Sequence, residues 1–263
     1  KFVSFLTRAE FSQAEPLFRR VLAIFEASLG PDHPEVATSL NNLGLLLKDT
    51  NRAGEAEQLF WRALAIHERE SRGSNLPNYA QSLNSLGSLL QDKNETNLAE
   101  PLLRLSLGMW EASLGPDHPK VATGLNNLGT LLDDTNRAGE AEPLFRRALA
   151  IREASLGPDH PRVATSLNNL GLLLKDTNRA GEAEPLFRRA LAIREASLGP
   201  DHPEVATSLN NLGTLLDDAN RAGEAEPLFR RALAIREASL GAGHPNAVTI
   251  RGNLAALLKR NVT

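Results

Sequence analysis

The stretch SLNNLGLLLKDTNRAGEAEPLFRRALAIREASLGPDHPEV, Ser166–Val205, returns along the chain with a few letters changed. Its neighbouring Val-Ala-Thr marker starts at Val36, Val121, Val163 and Val205, and diverged copies start at Tyr79 and Ala247. The offsets are 43 and then 42 four times, so the period is 42 residues with one insertion near Gly73 to Pro77. A fixed period of this size predicts a solenoid, because each unit can bury its apolar face only against its neighbours.

Inside the phrase the apolar spacing is helical, twice. Val36, Leu40, Leu43 and Leu47 fall on one side of a first helix, and Ala56, Leu59, Phe60, Ala63 and Leu64 form a similar stripe on a second. Gly30 is expected to end one helix with a left-handed cap, and Pro34 suits the first turn of the next. The Asp49-Thr50-Asn51-Arg52 stretch breaks the pair within a unit. Pro185, a few residues inside the second helix, deletes an early backbone bond and predicts a loose first turn. Gly44, Gly87, Gly129, Gly171 and Gly213 sit mid-helix, where glycine costs about 1 kcal/mol relative to alanine. Either another helix backbone passes too close for a side chain, or the glycines were copied by duplication without a packing reason.

The pattern divides the chain into a partial unit at 1–34, full helix pairs at 35–77, 78–119, 120–161, 162–203 and 204–245, and a closing helix at 246–263. The whole reads as one all-α array. It opens mid-unit, leaving Phe2, Val3 and Phe5 without their usual neighbour. Lys1 in place of Met marks a fragment or a processed chain. At the far end Arg251 stands where other units have leucine, which fits a solvated cap.

Leu40, Leu43, Gly44, Leu47, Ala56, Phe60 and Ala63 are similar in spacing to the tetratricopeptide signature, with leucine where its first large aromatic and its tyrosine usually stand. The period, with LNNLG, RRALAIRE and LGPDHP, resembles the subtype found in kinesin light chains and many bacterial proteins. The resemblance implies a right-handed superhelical solenoid of antiparallel helix pairs, with first helices lining a concave wall. No heptad segment like the one that joins light chains to their motor is present in this sequence.

The changed letters are few. Units starting at Val121 and Val163 differ at 4 of 42 positions, Gly124/Ser166, Thr130/Leu172, Asp133/Lys175 and Arg162/Glu204. Thr130/Leu172 and Asp133/Lys175 change again at the next unit, to Thr214 and Asp217. On a helical wheel this pair lies opposite the core stripe, on a face it shares with Asn41, Asn84, Asn126, Asn168 and Asn210. We therefore expect a concave peptide-binding face of Asn41, Asn84, Asn126, Asn168 and Asn210 with Leu45/Lys48, Ser88/Gln91, Thr130/Asp133, Leu172/Lys175 and Thr214/Asp217, continued by Ala256/Lys259. An amide can pair with a peptide backbone without reading its sequence. If first helices neighbour one another about 8–10 Å apart, one asparagine meets roughly every third residue of an extended ligand. Two alternatives stay open: exposed positions also drift freely, and the asparagines can instead bond neighbouring helices. Light chains read short tryptophan-acidic peptides, whereas the stripe here is of mixed sign.

Other chemistry is sparse. With 29 basic and 32 acidic residues the net charge is -3, so no basic excess points to nucleic acid or a membrane surface. The chain has no cysteine, compatible with a reducing compartment and a cytoplasmic location, and no apolar run long enough for a membrane span. His33, His118, His160, His202 and His244 recur in inter-unit turns, one per unit, where turn capping is a better account than a metal or triad site. Arg146/Arg147, Arg188/Arg189 and Arg230/Arg231 read as a solvated outer face. Trp61 and Trp110, which replace arginines of the phrase, are candidate exposed contact residues. Sequons occur at Asn94 and Asn261. No catalytic, cofactor or metal motif is present. The expectation is a non-catalytic, cofactor-free scaffold that binds an extended segment of a protein partner. Its rivals are a module stacking end to end with copies of itself, and a sensor arm of a larger signalling ATPase or protease.

Overall fold

The computed structural model describes residues 8–70 and 76–260, in which all regular structure is helical. The chain resolves into two compact units, residues 1–135 and 136–263. The first holds α1 (Arg8–Leu29), α2 (Pro34–Asp49), α3 (Ala53–Glu70), α4 (Leu76–Asp92), α5 (Thr96–Leu114) and α6 (Pro119–Asp134). The second holds α7 (Ala138–Leu156), α8 (Pro161–Asp176), α9 (Ala180–Leu198), α10 (Pro203–Asp218), α11 (Ala222–Leu240) and α12 (Pro245–Arg260). Even-numbered helices are the first helices of the repeat, and odd-numbered ones are the second. The unit boundary falls in the turn between α6 and α7, inside the repeat expected at 120–161. Phe2, Val3, Phe5, the Asn261 sequon and most of the insertion lie outside the described residues.

Punctuation follows the local chemistry. His33, His118, His160 and His202 sit at extended N-cap positions and accept, through Nδ1, the amide proton two residues on at 3.1–3.2 Å. The following proline needs no partner for an N–H it lacks. The recurring histidines are therefore helix caps. Gly199 closes α9 at φ +89° and donates to the Glu195 carbonyl at 3.1 Å. Within the repeat Asn178 takes φ +59°, a conformation asparagine tolerates better than other side chains. Pro185 lies inside α9 without interrupting it, and Arg179's carbonyl accepts from Glu182 and Ala183, so the first turn expected to be loose is closed.

Core packing explains the mid-helix glycines. A Cβ at Gly171 would sit 2.8 Å from a ring carbon of the buried Phe187, and at Gly213 it would sit 3.0 Å from Phe229. The close approach is an aromatic ring of the partner helix, not the backbone expected from sequence. Burying each such ring contributes roughly 1.5–3 kcal/mol, which outweighs the helix propensity lost at glycine. In the diverged repeat Leu103 takes the ring's place against Gly87. Around these pairs Val163, Ala164, Leu167, Ala190 and Ile193 form one cluster, with Leu149 and Leu186 packed on it.

Junctions between repeats carry a second coupled pair. The buried Arg152 guanidinium donates to Ser166 Oγ at 2.7 Å and to the Arg162 carbonyl at 3.2 Å. Burial, and then the Arg162 charge, pull its pKa down to about 10. Arg194 repeats the bond to Ser208 at 2.7 Å. One repeat earlier Trp110 stands at the arginine position, fully buried, and donates Nε1–H to the Pro77 carbonyl at 3.1 Å. Opposite it, Gly124 replaces the serine, because a Cβ there would lie 3.3 Å from the indole. Trp110 is thus core, contrary to the contact role expected of it, and the Gly124/Ser166 difference is compensation in packing. Trp61 alone of the two is exposed, at 47%.

Second helices are tied together by ion pairs. Arg179 bridges Glu142 of α7 at 2.7 Å and Glu182 of its own helix at 2.8 Å, while Glu142 also holds Arg146 at 2.7 Å. Arg221 repeats the arrangement with Glu184 at 2.6 Å and Glu224 at 2.7 Å. These hydrogen bonds from arginine hold Glu142 and Glu184 below the ordinary carboxylate value. Arg189 reaches Glu153 and the Pro158 carbonyl, so the outer arginines join repeats and are not only solvated. In the diverged repeat Glu95 replaces the bridging arginine, and Lys93 takes over with Glu57 at 2.9 Å and Glu95 at 2.5 Å.

Candidate functional site

A solenoid helix has neighbours on three sides. In α8 the core residues Val163, Leu167, Leu170 and Leu174 are buried, and so are Ala164, Ser166, Asn168, Gly171 and Leu173. At about 100° per residue these span more than half the circumference. First helices touch one another across repeats, α2 with α4 and α4 with α6 in the first unit, α8 with α10 and α10 with α12 in the second. Second helices of successive repeats meet instead through long arginine and glutamate side chains. Within each unit the first helices therefore crowd against one another.

This crowding seals the asparagines. Asn41, Asn84, Asn126 and Asn168 are only 5%, 4%, 8% and 7% exposed, and Asn210 is half-buried. Asn84 Oδ1 accepts from Asn127 Nδ2 at 3.0 Å, Asn168 Oδ1 from Asn211 Nδ2 at 2.8 Å, and Asn210 Oδ1 from Asn253 Nδ2 at 3.1 Å. Each bond joins one first helix to the next. The expectation of open amides facing a ligand is corrected: they form a ladder between helices, the alternative left open by the sequence. The wheel failed because it placed the amides by reference to one partner helix, whereas the adjoining first helix covers their edge.

Sequence reasoning missed the second asparagine of LNNLG, which is the donor of the ladder. A signal existed, since the second asparagine is lost as Ser85 in the diverged repeat alone among the full pairs. There the ladder is interrupted. Asn41 Nδ2 donates to Ser82 Oγ at 2.6 Å, and Asn41 Oδ1 is buried without a hydrogen-bond partner.

The varying side chains have a different fate. Leu45, Lys48, Ser88, Gln91, Thr130, Asp133, Leu172, Lys175, Thr214 and Asp217 are all half-buried, between the sealed core and solvent. In four of the five pairs the later member reaches a side chain of the next first helix. Lys48 Nζ lies 2.8 Å from Asp92 and 2.7 Å from Ser88 Oγ, and Gln91 Nε2 donates to Asp134 at 2.7 Å. Lys175 Nζ lies 3.2 Å from Asp176 and 4.0 Å from Asp218, and Asp217 pairs with Arg260 of α12. Of the earlier members, Leu45 and Leu172 are apolar, Ser88 accepts from Lys48, and the threonines bond their own helix: Thr130 donates to the Asn126 carbonyl at 3.0 Å and Thr214 to that of Asn210 at 2.9 Å. Among the described residues no cluster of acidic or histidine side chains could hold a metal ion, and no helix is long and apolar enough to cross a membrane.

This geometry, paired helices stacked through a Gly–Phe contact with a half-buried face on the first helices, has a family. The tetratricopeptide repeat family matches residues 6–69, 78–154, 137–196 and 174–238. The chain belongs to the tetratricopeptide repeat family. Among solved structures it is similar to BtubC (BKLC) from P. vanneervenii, at 25% identity and a TM-score of 0.69, covering 90% of this chain and 92% of that one. It is also similar to a putative kinesin light chain of Podospora anserina with nearly identical TPR-like repeats, at 22% identity and a TM-score of 0.63, covering 79% of this chain and 98% of that one. A comparison with curated proteins gives no match. Tetratricopeptide arrays are in general scaffolds for protein–protein interaction and are typically not enzymes.

Proposed function

We propose that this tetratricopeptide array binds an extended peptide segment of a partner protein along its first-helix face. The reading positions are Leu45, Ser88 and Thr130 on the first unit, flanked by Lys48, Gln91 and Asp133, and, on the second unit, Leu172 and Thr214, flanked by Lys175 and Asp217. One observation carries the proposal: the helix positions that change repeatedly between nearly identical repeats are half-buried, and the asparagine pair and leucines around them are unchanged from Val121 to Leu216. A cytoplasmic location belongs to the same reading.

The test is to pan random linear peptides on the protein and on a double variant, Leu45→Ser with Leu172→Ser. Serine is the residue the chain itself carries at Ser88, so the fold tolerates it. Peptides selected by the parent are expected to bind the variant at least severalfold more weakly, with the melting temperature kept. Equal binding sinks the proposal.

A second reading, contact between copies, is supported by the apolar stripe Leu17, Val21 and Ile24 on α1, which is 63%, 43% and 53% exposed. Sedimentation over a range of concentrations, with Val21→Glu as the comparison, separates it from a monomeric binder.

A further inference from the structure

Two junctions of the second unit are built alike but charged differently. Arg194 of α9 donates through Nη1 to Ser208 Oγ at 2.7 Å and to the Glu204 carbonyl at 3.4 Å, and its Nη2 lies 3.0 Å from the Glu204 carboxylate. One repeat earlier Arg152 of α7 makes the same two Nη1 bonds, to Ser166 Oγ at 2.7 Å and to the Arg162 carbonyl at 3.2 Å. It has no such carboxylate, because Arg162 stands where the next junction has Glu204. We infer that the junction of α7 and α8 binds a carboxylate, brought by a ligand to Arg152 and Arg162 in the place that Glu204 fills one repeat on.

Arg152 is only 6% exposed and Arg162 is half-buried. Burial and then the Arg162 charge both disfavour the charged form of Arg152, and burial does the same to Arg162. No carboxylate offsets either effect, whereas the Glu204 charge works against burial at Arg194. Two guanidinium groups held out of water without a counter-charge cost free energy, which a bound anion would recover. A carboxylate suits them, because its two oxygens match the planar fork of a guanidinium in charge-assisted hydrogen bonds.

Charges at the corresponding position of two other repeats are answered inside the protein. Glu204 has Arg194. In the first unit Lys120 stands there, and its Nζ lies 6.0 Å from the centre of the Trp110 ring, which replaces the buried arginine. A cation over an indole face is an attractive contact. Arg162, by contrast, sets a cation beside a buried cation. It lies in the first turn of α8, where the helix dipole adds positive potential. The half-buried Thr165 and Asn169 continue the same side of the helix over the next two turns, so a ligand on that face of α8 passes Arg162.

Arg162→Glu is the decisive variant, since it gives Arg152 the partner that Arg194 already has in this fold. Without ligand it should melt above the parent. In about 50 mM sodium succinate, against sodium chloride at equal ionic strength, the parent should gain about 2 °C or more and the variant nothing. Peptides selected on the parent should carry Asp or Glu and bind the variant about tenfold or more weakly. A succinate gain confined to the parent, with peptides indifferent to the variant, assigns the site to a free small acid. Peptide loss without a succinate gain assigns it to a side chain presented by a bound segment. A variant that alters neither response overturns the inference, and selected peptides that still bind it leave the peptide-binding reading standing. Failure to select any peptide, with the succinate gain confined to the parent, overturns that reading and keeps this site.

Discussion

The diverged repeat of α4 and α5 and the regular repeats of α8 to α11 build the same fold with different partners. The regular repeats set Phe187 against Gly171, Arg152 against Ser166, Asn211 against Asn168, and Arg179 between Glu142 and Glu182. The diverged repeat sets Leu103 against Gly87 and Trp110 against Gly124, puts Ser85 where the ladder needs an asparagine, and moves its bridging cation from an arginine to Lys93. The arginine–serine contact is replaced on both sides, the ring–glycine contact on the ring side only, and the bridging cation moves from the position of Glu95 to Lys93. The ladder contact is not replaced, and its cost shows as the orphaned carbonyl oxygen of Asn41.

The largest effect should come from the ring–glycine contact. Phe187→Ala is expected to cost about 3–5 kcal/mol in urea unfolding, and Leu103→Ala less, because a smaller side chain leaves a smaller cavity. A loss under about 1 kcal/mol for Phe187→Ala would show that the ring is not central to its repeat.

The arginine–serine pair sharpens the comparison by exchange. Arg152→Trp alone should destabilise by about 1–3 kcal/mol, since the indole meets the Ser166 side chain. Adding Ser166→Gly reproduces the Trp110–Gly124 pair and should recover most of that loss, a coupling readable in a double-mutant cycle. Additive costs would break the claim that these positions change together.

A repair of the ladder is a smaller and opposite test. Ser85→Asn gives Asn41 Oδ1 the donor that Asn211 gives Asn168, and should stabilise the protein by about 1 kcal/mol. No gain, or a loss, would mean that the α2–α4 contact has no room for the amide.

The smallest expected effect is in the pH dependence of the outer ion pairs. Arginine hydrogen bonds lower the folded pKa of Glu142 and Glu184 from an ordinary 4.5. Their contribution is therefore present above that value and is lost as pH falls through the depressed folded pKa. Melting temperature should decline more steeply below about pH 4.5 for the parent than for Glu184→Gln; identical slopes would remove these pairs from the account.

Much of this was legible in the sequence. Period, helix pairing, the histidine turns and the family followed from spacing and from residues with strong backbone preferences, such as Gly199 and Pro203. The fate of Asn168 was not, because a wheel drawn for one helix says nothing of the helix alongside. Trp110 was misplaced for a related reason: its burial depends on Gly124, fourteen residues away, and only the two changes taken together give it away. Leu172 and Lys175 were found as a varying pair, but only the structure separates the leucine, which has no polar partner, from the lysine, which reaches the neighbouring helix.

The measurement that bears most directly on the division between scaffold and reading surface compares two variants in the same two assays. Asn168→Ala with Asn210→Ala should lower stability by about 1–3 kcal/mol per broken rung, whereas Leu45→Ser with Leu172→Ser should leave melting nearly unchanged and weaken the selected peptides. The reverse outcome, amide variants that melt like the parent but lose the peptide, and leucine variants that keep it, would contradict the account.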